Sequence, residues 1–247
     1  MQEHTNKRQN METDQPLSPN KKIVEALSGK SNVKSLVFDR TLDMFNELKE
    51  LLAEISNDLD EALDEIKESG VQLSRRVKLE YRDKGRLEAE LRFADDVLVF
   101  SMLPDIYQFE PDHPVWKVPY AAENQFNTYC GIITVYNFLY ESVKLNRDCD
   151  PGYLVARLFV NREGAFFVEG KNQPRKKIGE FGKVKLNKKE LRDFVESAML
   201  YALSFDLFVP PFEKVKSITV GDKDSDDYKI ETGKRNGYHY NTDDVLE

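Results

Sequence analysis

Between Ser31 and Gly70 apolar residues return at every seventh position, and that pattern limits what the rest of the chain can build. Phe38, Phe45, Leu52, Leu59 and Ile66 form one row, with Leu48, Ile55 and Ala62 beside it and Leu42 and Leu63 widening the stripe. A stripe this broad suits a helix laid on a sheet or in a bundle better than a two-position coiled-coil seam. Ser31 or Asn32 is placed to cap its start, and Ser69-Gly70 to end it, because glycine reaches the left-handed conformation that closes a helix. About 37 residues make a rod of roughly 55 Å. That exceeds what one domain of this size needs, so part of the stripe is expected to face another subunit.

Charge is spread unevenly along the 247 residues, whose formal net charge is -8. From Leu36 to Glu68 eleven acids oppose three bases, whereas from Gly170 to Glu190 eight bases oppose two acids. Opposite patches of this kind meet across a dimer or within one fold, and the overall acidity argues against wrapping nucleic acid. With 40% hydrophobic residues the body has enough apolar side chains for a core. The two cysteines, Cys130 and Cys149, form no disulfide framework and no metal-ligand spacing, which fits a reducing, cytoplasmic setting. No apolar run reaches the length of a membrane span, and residues 1–20 carry no signal-peptide core.

After Gly70 the period switches from helical to two. Val77, Leu79 and Tyr81 alternate with charged residues, as do Leu87, Ala89, Leu91 and Phe93 after Asp83-Lys84-Gly85. A three-residue loop there predicts a hairpin pairing Tyr81 with Leu87 and Leu79 with Ala89. Val97 to Leu103 reads as a strand covered on both faces, and the proline-rich stretch from Pro104 to Tyr120 as an irregular crossing with one short edge strand. Thr128 to Val143 reads as a long central strand, although Ile132, Val135, Leu139 and Val143 would also line a helix. A second hairpin turns at Arg162-Glu163-Gly164 and pairs Val160 with Phe166, Phe159 with Phe167 and Arg157 with Glu169. A short helix from Lys21 to Ser28 ended by Gly29 is expected before the rod. Another helix starts at Asn187, with Glu190 three residues on as a capping box, and stops before Pro210-Pro211.

The predicted fold class is therefore α+β: a long N-terminal amphipathic helix, an antiparallel meander of about six or seven strands, and a C-terminal helix packed on the sheet. One domain over 21–212 is expected between a disordered N-terminal tail (1–20) and a polar C-terminal tail (213–247).

Three constellations are candidates for chemistry. Glu169 and Lys171 lie two apart on one strand face, and with Asp148 or Asp150 they could hold Mg²⁺ and activate water. Over these few residues the chain resembles the D…(D/E)xK pattern of restriction-type nucleases, and the resemblance implies a metal-dependent phosphodiesterase. The competing reading makes Glu169 the cross-strand ion-pair partner of Arg157. A basic loop with Lys171, Arg175, Lys176, Lys177, Lys183 and Lys185 around Phe181 suits phosphate or nucleic-acid contact, or docking onto the acidic helix. His113, Trp116, Tyr120, Asn124 and Tyr129 form a polar-aromatic run that either lines a small-ligand pocket or caps the sheet. No residue set points to a resident metal or cofactor, since His113 stands alone in the body and no glycine-rich phosphate loop occurs. The expected function is a non-catalytic, self-associating interaction protein. The phosphodiesterase and a small-ligand binder in a curved sheet are the alternatives.

Overall fold

The computed structural model describes residues 18–74, 77–147, 150–170, 178–204, 206–207, 216 and 239–240. Helix α1 (Pro19–Ala26) runs through a π turn (Leu27–Ser31) into α2 (Asn32–Glu68) without a break. The break expected at Gly29 is absent. The chain instead takes one wide turn there, and Ser31 remains helical with no side-chain cap. The result is one rod of about 75 Å at 1.5 Å per residue.

Seven strands form one antiparallel sheet in the order β1-β2-β3-β5-β6-β7, with β4 pairing on β5. They are β1 (Glu80–Asp83), β2 (Glu88–Phe93), β3 (Asp96–Met102), β4 (Tyr107–Gln108), β5 (Tyr129–Leu139), β6 (Tyr153–Asn161) and β7 (Phe166–Gly170). Short helices α3 (Pro119–Glu123) and α4 (Tyr140–Lys144) flank β5, and α5 (Lys188–Leu203) closes the body. This is the α+β arrangement the patterning predicts. Further on, β8 (Asp206–Leu207) pairs with β9 (His239–Tyr240). Among the described residues no helix is long and apolar enough to cross a membrane.

The rod buries one face against the sheet. Phe45, Leu48, Leu51, Leu52 and Ile55 are fully enclosed with Leu91, Phe100, Ile133 and Leu158 from the strands and Leu191, Phe194 and Ala198 from α5. At about 1.5–3 kcal/mol per enclosed side chain, those five contribute on the order of 10 kcal/mol. The seven-residue row drifts across this face because a straight helix turns every 3.6 residues. Phe38 is accordingly only half-buried, while Val33 and Val37 are buried off the seven-residue rows and Thr41 is buried one step before Leu48 on the second row. The helix lies tight against β5 at Gly131, where a Cβ would come within 2.3 Å of Thr41 Oγ1.

The two hairpins fare differently. The second has the predicted register, Val160 opposite Phe166 and Arg157 opposite Glu169, with Gly164 at φ +77°. In the first, Tyr81 faces Leu91 and Asp83 faces Ala89, so the turn falls two residues later than expected. Asp83 Oδ1 accepts from Gly85 N at 2.9 Å and from Lys49 Nζ at 2.8 Å, and Lys49 also donates to Gly85 O. These bonds hold Asp83 at the strand end, and Lys84 N donates to Glu88 O at 3.1 Å, which leaves Gly85, Arg86 and Leu87 as the loop. A shift by an even number of residues keeps the apolar residues inward. Strand β1 also starts late, because Leu79 N donates to Asp60 Oδ1 of the rod, 2.9 Å away, rather than to a neighbouring strand.

The long strand predicted over 128–143 ends at Leu139, and its last residues form α4. Strand β3 sends Leu98, Phe100 and Met102 into the core, while Val99 and Ser101 on the other face are half-exposed, so that face is less covered than the apolar run implies. Asn187 caps α5 as expected, its Oδ1 accepting from Lys189 N (3.0 Å) and Glu190 N (3.2 Å). Pro210 and Pro211 lie outside the described residues.

Adding one methyl group at Gly131 forces the rod off β5. Gly131→Ala is expected to lower unfolding free energy by about 1–3 kcal/mol, measured by urea denaturation. Gly131→Ala combined with Thr41→Ala is expected to recover part of that loss, because it removes Oγ1 and Cγ2 while the Thr41 Cβ, 2.8 Å from the new methyl, remains.

Candidate functional site

The buried side chains of the rod all lie in its middle. From Pro19 to Asn32 no residue is buried, and Ile23, Val24 and Leu27 are 56%, 63% and 60% exposed. Past Ser56 no residue of the rod is buried either, with Leu59 and Ile66 at 38% and 45%. Between them, Leu63 is half-buried at the edge of the main core. Both overhangs thus carry apolar residues at helical spacing over water, as partner-binding helices do.

Their charges run against the helix macrodipole, which favours acids at the N-terminus and bases at the C-terminus. Lys21 and Lys22 occupy the first turn of α1, which has no acid. Glu61, Asp64, Glu65 and Glu68 crowd the last turns of α2, with Lys67 the one base. Folding alone gives no reason for this order.

The acidic helix does meet bases inside the fold, though from α5. Lys188 Nζ lies 2.7 Å from Glu54, and Arg192 lies 3.1 Å from Asp58. The predicted basic loop is divided by the limits of the structure: Lys171, Arg175, Lys176 and Lys177 fall outside the described residues. Lys183 pairs with Glu180 at 3.0 Å, Lys185 bridges to Ala165 by its backbone, and Phe181 is buried in a second apolar cluster. Its ring is a core residue, not a stacking surface.

The two described carboxylates of the nuclease-like set have separate partners. Glu169 Oε2 receives Arg157 across the hairpin at 2.5 Å, and Oε1 lies 3.8 Å from His113 Nε2. Asp150 Oδ2 accepts from Ser142 Oγ at 2.6 Å, with Arg147 at 3.8 Å. Asp148 and Lys171 lie outside the described residues. Among the described residues no three His, Cys, Asp or Glu side chains are grouped to hold a metal ion.

The polar-aromatic run divides between the two faces of the sheet. Tyr129 packs with Val33 and Val37 under the rod, where Lys30 and Lys34 approach its ring at 5.9 and 6.0 Å. Trp116 and Tyr120 cover the opposite face, against the cluster built on Ile132, Phe159, Phe167 and Phe181. Polar atoms in the run are used locally. His113 Nδ1 accepts from Val115 N, Trp116 Nε1 donates to Glu110 O, and Asn124 Oδ1 accepts from Phe126 N. His113 also stacks on Phe109 with centroids 4.4 Å apart. Each of these contacts closes a turn.

Sequence reasoning missed the residue that ties this cap together. Asn161, fully buried at the end of β6, accepts from Glu163 N and Ala165 N, both at 3.0 Å, and donates to Tyr120 Oη at 2.9 Å and to Asn127 O at 3.3 Å. Tyr120 Oη in turn donates to Glu163 at 2.8 Å. Burial, with Glu163 beside it, pushes the Tyr120 phenol up to about 12. The available signal was an amide immediately before a three-residue turn, since asparagine bonds its own backbone two residues on. Burial likewise pushes the Cys130 thiol up, which leaves it unreactive.

The chain matches no known family model, no curated protein and no solved structure.

Removing the Asn161 side chain orphans the buried Ala165 N–H and the half-buried Glu163 N–H. Asn161→Ala is therefore expected to cost about 2–4 kcal/mol, read from denaturant unfolding. Tyr120 has a folded pKa raised from 10.0 to about 12, so its contribution is complete below pH 10 and lost as pH rises through 12. Tyr120→Phe is expected to flatten the alkaline fall in stability across that window, and a slope identical to wild type would remove Tyr120 as its source.

Proposed function

We propose that this chain is a non-catalytic interaction protein that self-associates, with the ends of its long helix as the partner surface. The observation that carries this reading is the rod itself. Its buried side chains all lie between Val33 and Ser56, and beyond them the rod meets the body only through edge groups such as Asp58, Asp60 and Leu63. Several turns of exposed helix bearing Ile23, Val24, Leu27, Leu59 and Ile66 are the kind of surface that binds another helix or a groove.

The fate of the charged candidates supports the same reading. Glu169 sits with Arg157 as an ordinary cross-strand pair, and the polar groups of the cap close turns. A cytoplasmic location suits a chain whose Cys130 is a free, enclosed thiol.

Sedimentation equilibrium over a concentration series is the direct test. A mass above 28.7 kDa is expected. Ile23→Glu with Leu27→Glu, both on exposed positions, is expected to raise the dissociation constant at least about tenfold, the loss of one or two buried aliphatic contacts. Glu169→Gln with Arg157→Gln is expected to leave association unchanged. A chain that stays at 28.7 kDa at every concentration rules out self-association.

A further inference from the structure

Two features of the overhangs, their opposite charge and their exposed apolar residues, identify what they fit. Residues 18–32 hold Lys21, Lys22 and Lys30 against Glu25, a net of +2. Residues 57–70 hold Asp58, Asp60, Glu61, Asp64, Glu65 and Glu68 against Lys67, a net of -5. Arg192 and Lys78 engage Asp58 and Asp60 within the fold, and Lys67 lies 3.5 Å from Asp64. Glu61, Glu65 and Glu68 remain exposed on the same end.

Resting on the reading of the rod as a partner surface, we propose that the basic N-terminal end of one copy docks onto the acidic C-terminal end of a second copy, so that chains add head to tail. Ile23 and Leu27, four residues apart, then pack against Leu59 and Ile66 of the next rod, with lysines and carboxylates bordering the seam. Contact between like ends sets lysine against lysine or carboxylate against carboxylate and is disfavoured.

The middle of the rod selects head-to-tail addition over side-by-side pairing. Asp39, Asp43, Glu47 and Glu50 are all exposed there. Two rods laid antiparallel along their full length place these acids against their own copies. Overlap confined to the ends avoids that repulsion and spans about 14 residues, or roughly 21 Å. The same junction brings the positive end of one macrodipole beside the negative end of the next. Charge order that opposes the dipole within one chain becomes complementary between two. Because such a contact is heterologous and leaves one end of each kind free, growth continues past two copies unless a ring closes.

The experiment uses the full chain and two charge-reversed variants, one carrying Lys21→Glu, Lys22→Glu and Lys30→Glu, the other Glu61→Lys, Glu65→Lys and Glu68→Lys. All six positions are exposed, so folding is retained and is checked by circular dichroism. Wild-type mass is expected to rise with concentration past two copies and to fall on going to about 0.5 M salt, where charges are screened beyond a few ångströms. Each variant alone is expected to associate at least tenfold more weakly, and an equimolar mixture to recover association, because every junction in it again pairs opposite charges. A mass that levels off at two copies, or a mixture no more associated than its components, overturns the proposal. If wild type associates and both reversals leave it unchanged, head-to-tail pairing is wrong although the rod reading stands. If Ile23→Glu with Leu27→Glu also changes nothing, both are wrong.

Discussion

The whole molecule depends on one face of one helix being covered. Phe45, Leu48, Leu52 and Ile55 are enclosed by strands from both halves of the sheet and by α5, so the elements share a single apolar contact rather than stacking independently. The approach at Gly131 sets how deeply the helix sits, and every contact further along the rod inherits that depth. Ion pairs between α2 and α5 add little by comparison, since their partners are half in water, where such pairs contribute up to about 1 kcal/mol each. Hydrophobic burial fixes the arrangement and charge decorates it.

Much of this was readable from residue spacing. The seven-residue rows of the helix, the period of two in the hairpins and the cap at Asn187 each follow from local rules, and each corresponds to an element in the fold. The second hairpin could be placed to the residue because Gly164 takes the left-handed slot of a three-residue turn. The first could not, because its turn is decided by Lys49, 34 residues upstream, reaching across to Asp83. A contact between distant parts of the chain leaves no trace in a local pattern. The same reasoning explains α4: β-branched and aromatic residues continue past Leu139, and the chain turns helical there because of what surrounds it.

The candidate sites divide along similar lines. Cross-strand partnership of Glu169 and Arg157 was accessible, because it follows from register alone. The Asn161 hub was not, since it draws on β6, the turn after it and α3, which only the folded chain brings together. The polar-aromatic run, open in the sequence between a pocket lining and a cap, is divided by the fold: Tyr129 lies under the rod, whereas Trp116 and Tyr120 cover the opposite face of the sheet from the turns before β5. The exposure of the rod's ends was visible only as surplus length.

The π turn at Leu27–Ser31 separates the outer helix from the body in a way that matters for how such a protein changes over generations. Its extra residue rotates the stretch from Pro19 to Ala26 by about 100° relative to an uninterrupted α-helix, the angle one residue subtends. Among the described residues no buried side chain lies in or before that turn. Deleting or inserting a residue near Gly29 therefore swings Ile23 and Leu27 to a new azimuth without touching a core contact. Geometry of assembly and stability of the fold are set by different parts of the same helix, so natural variation can explore one while leaving the other in place.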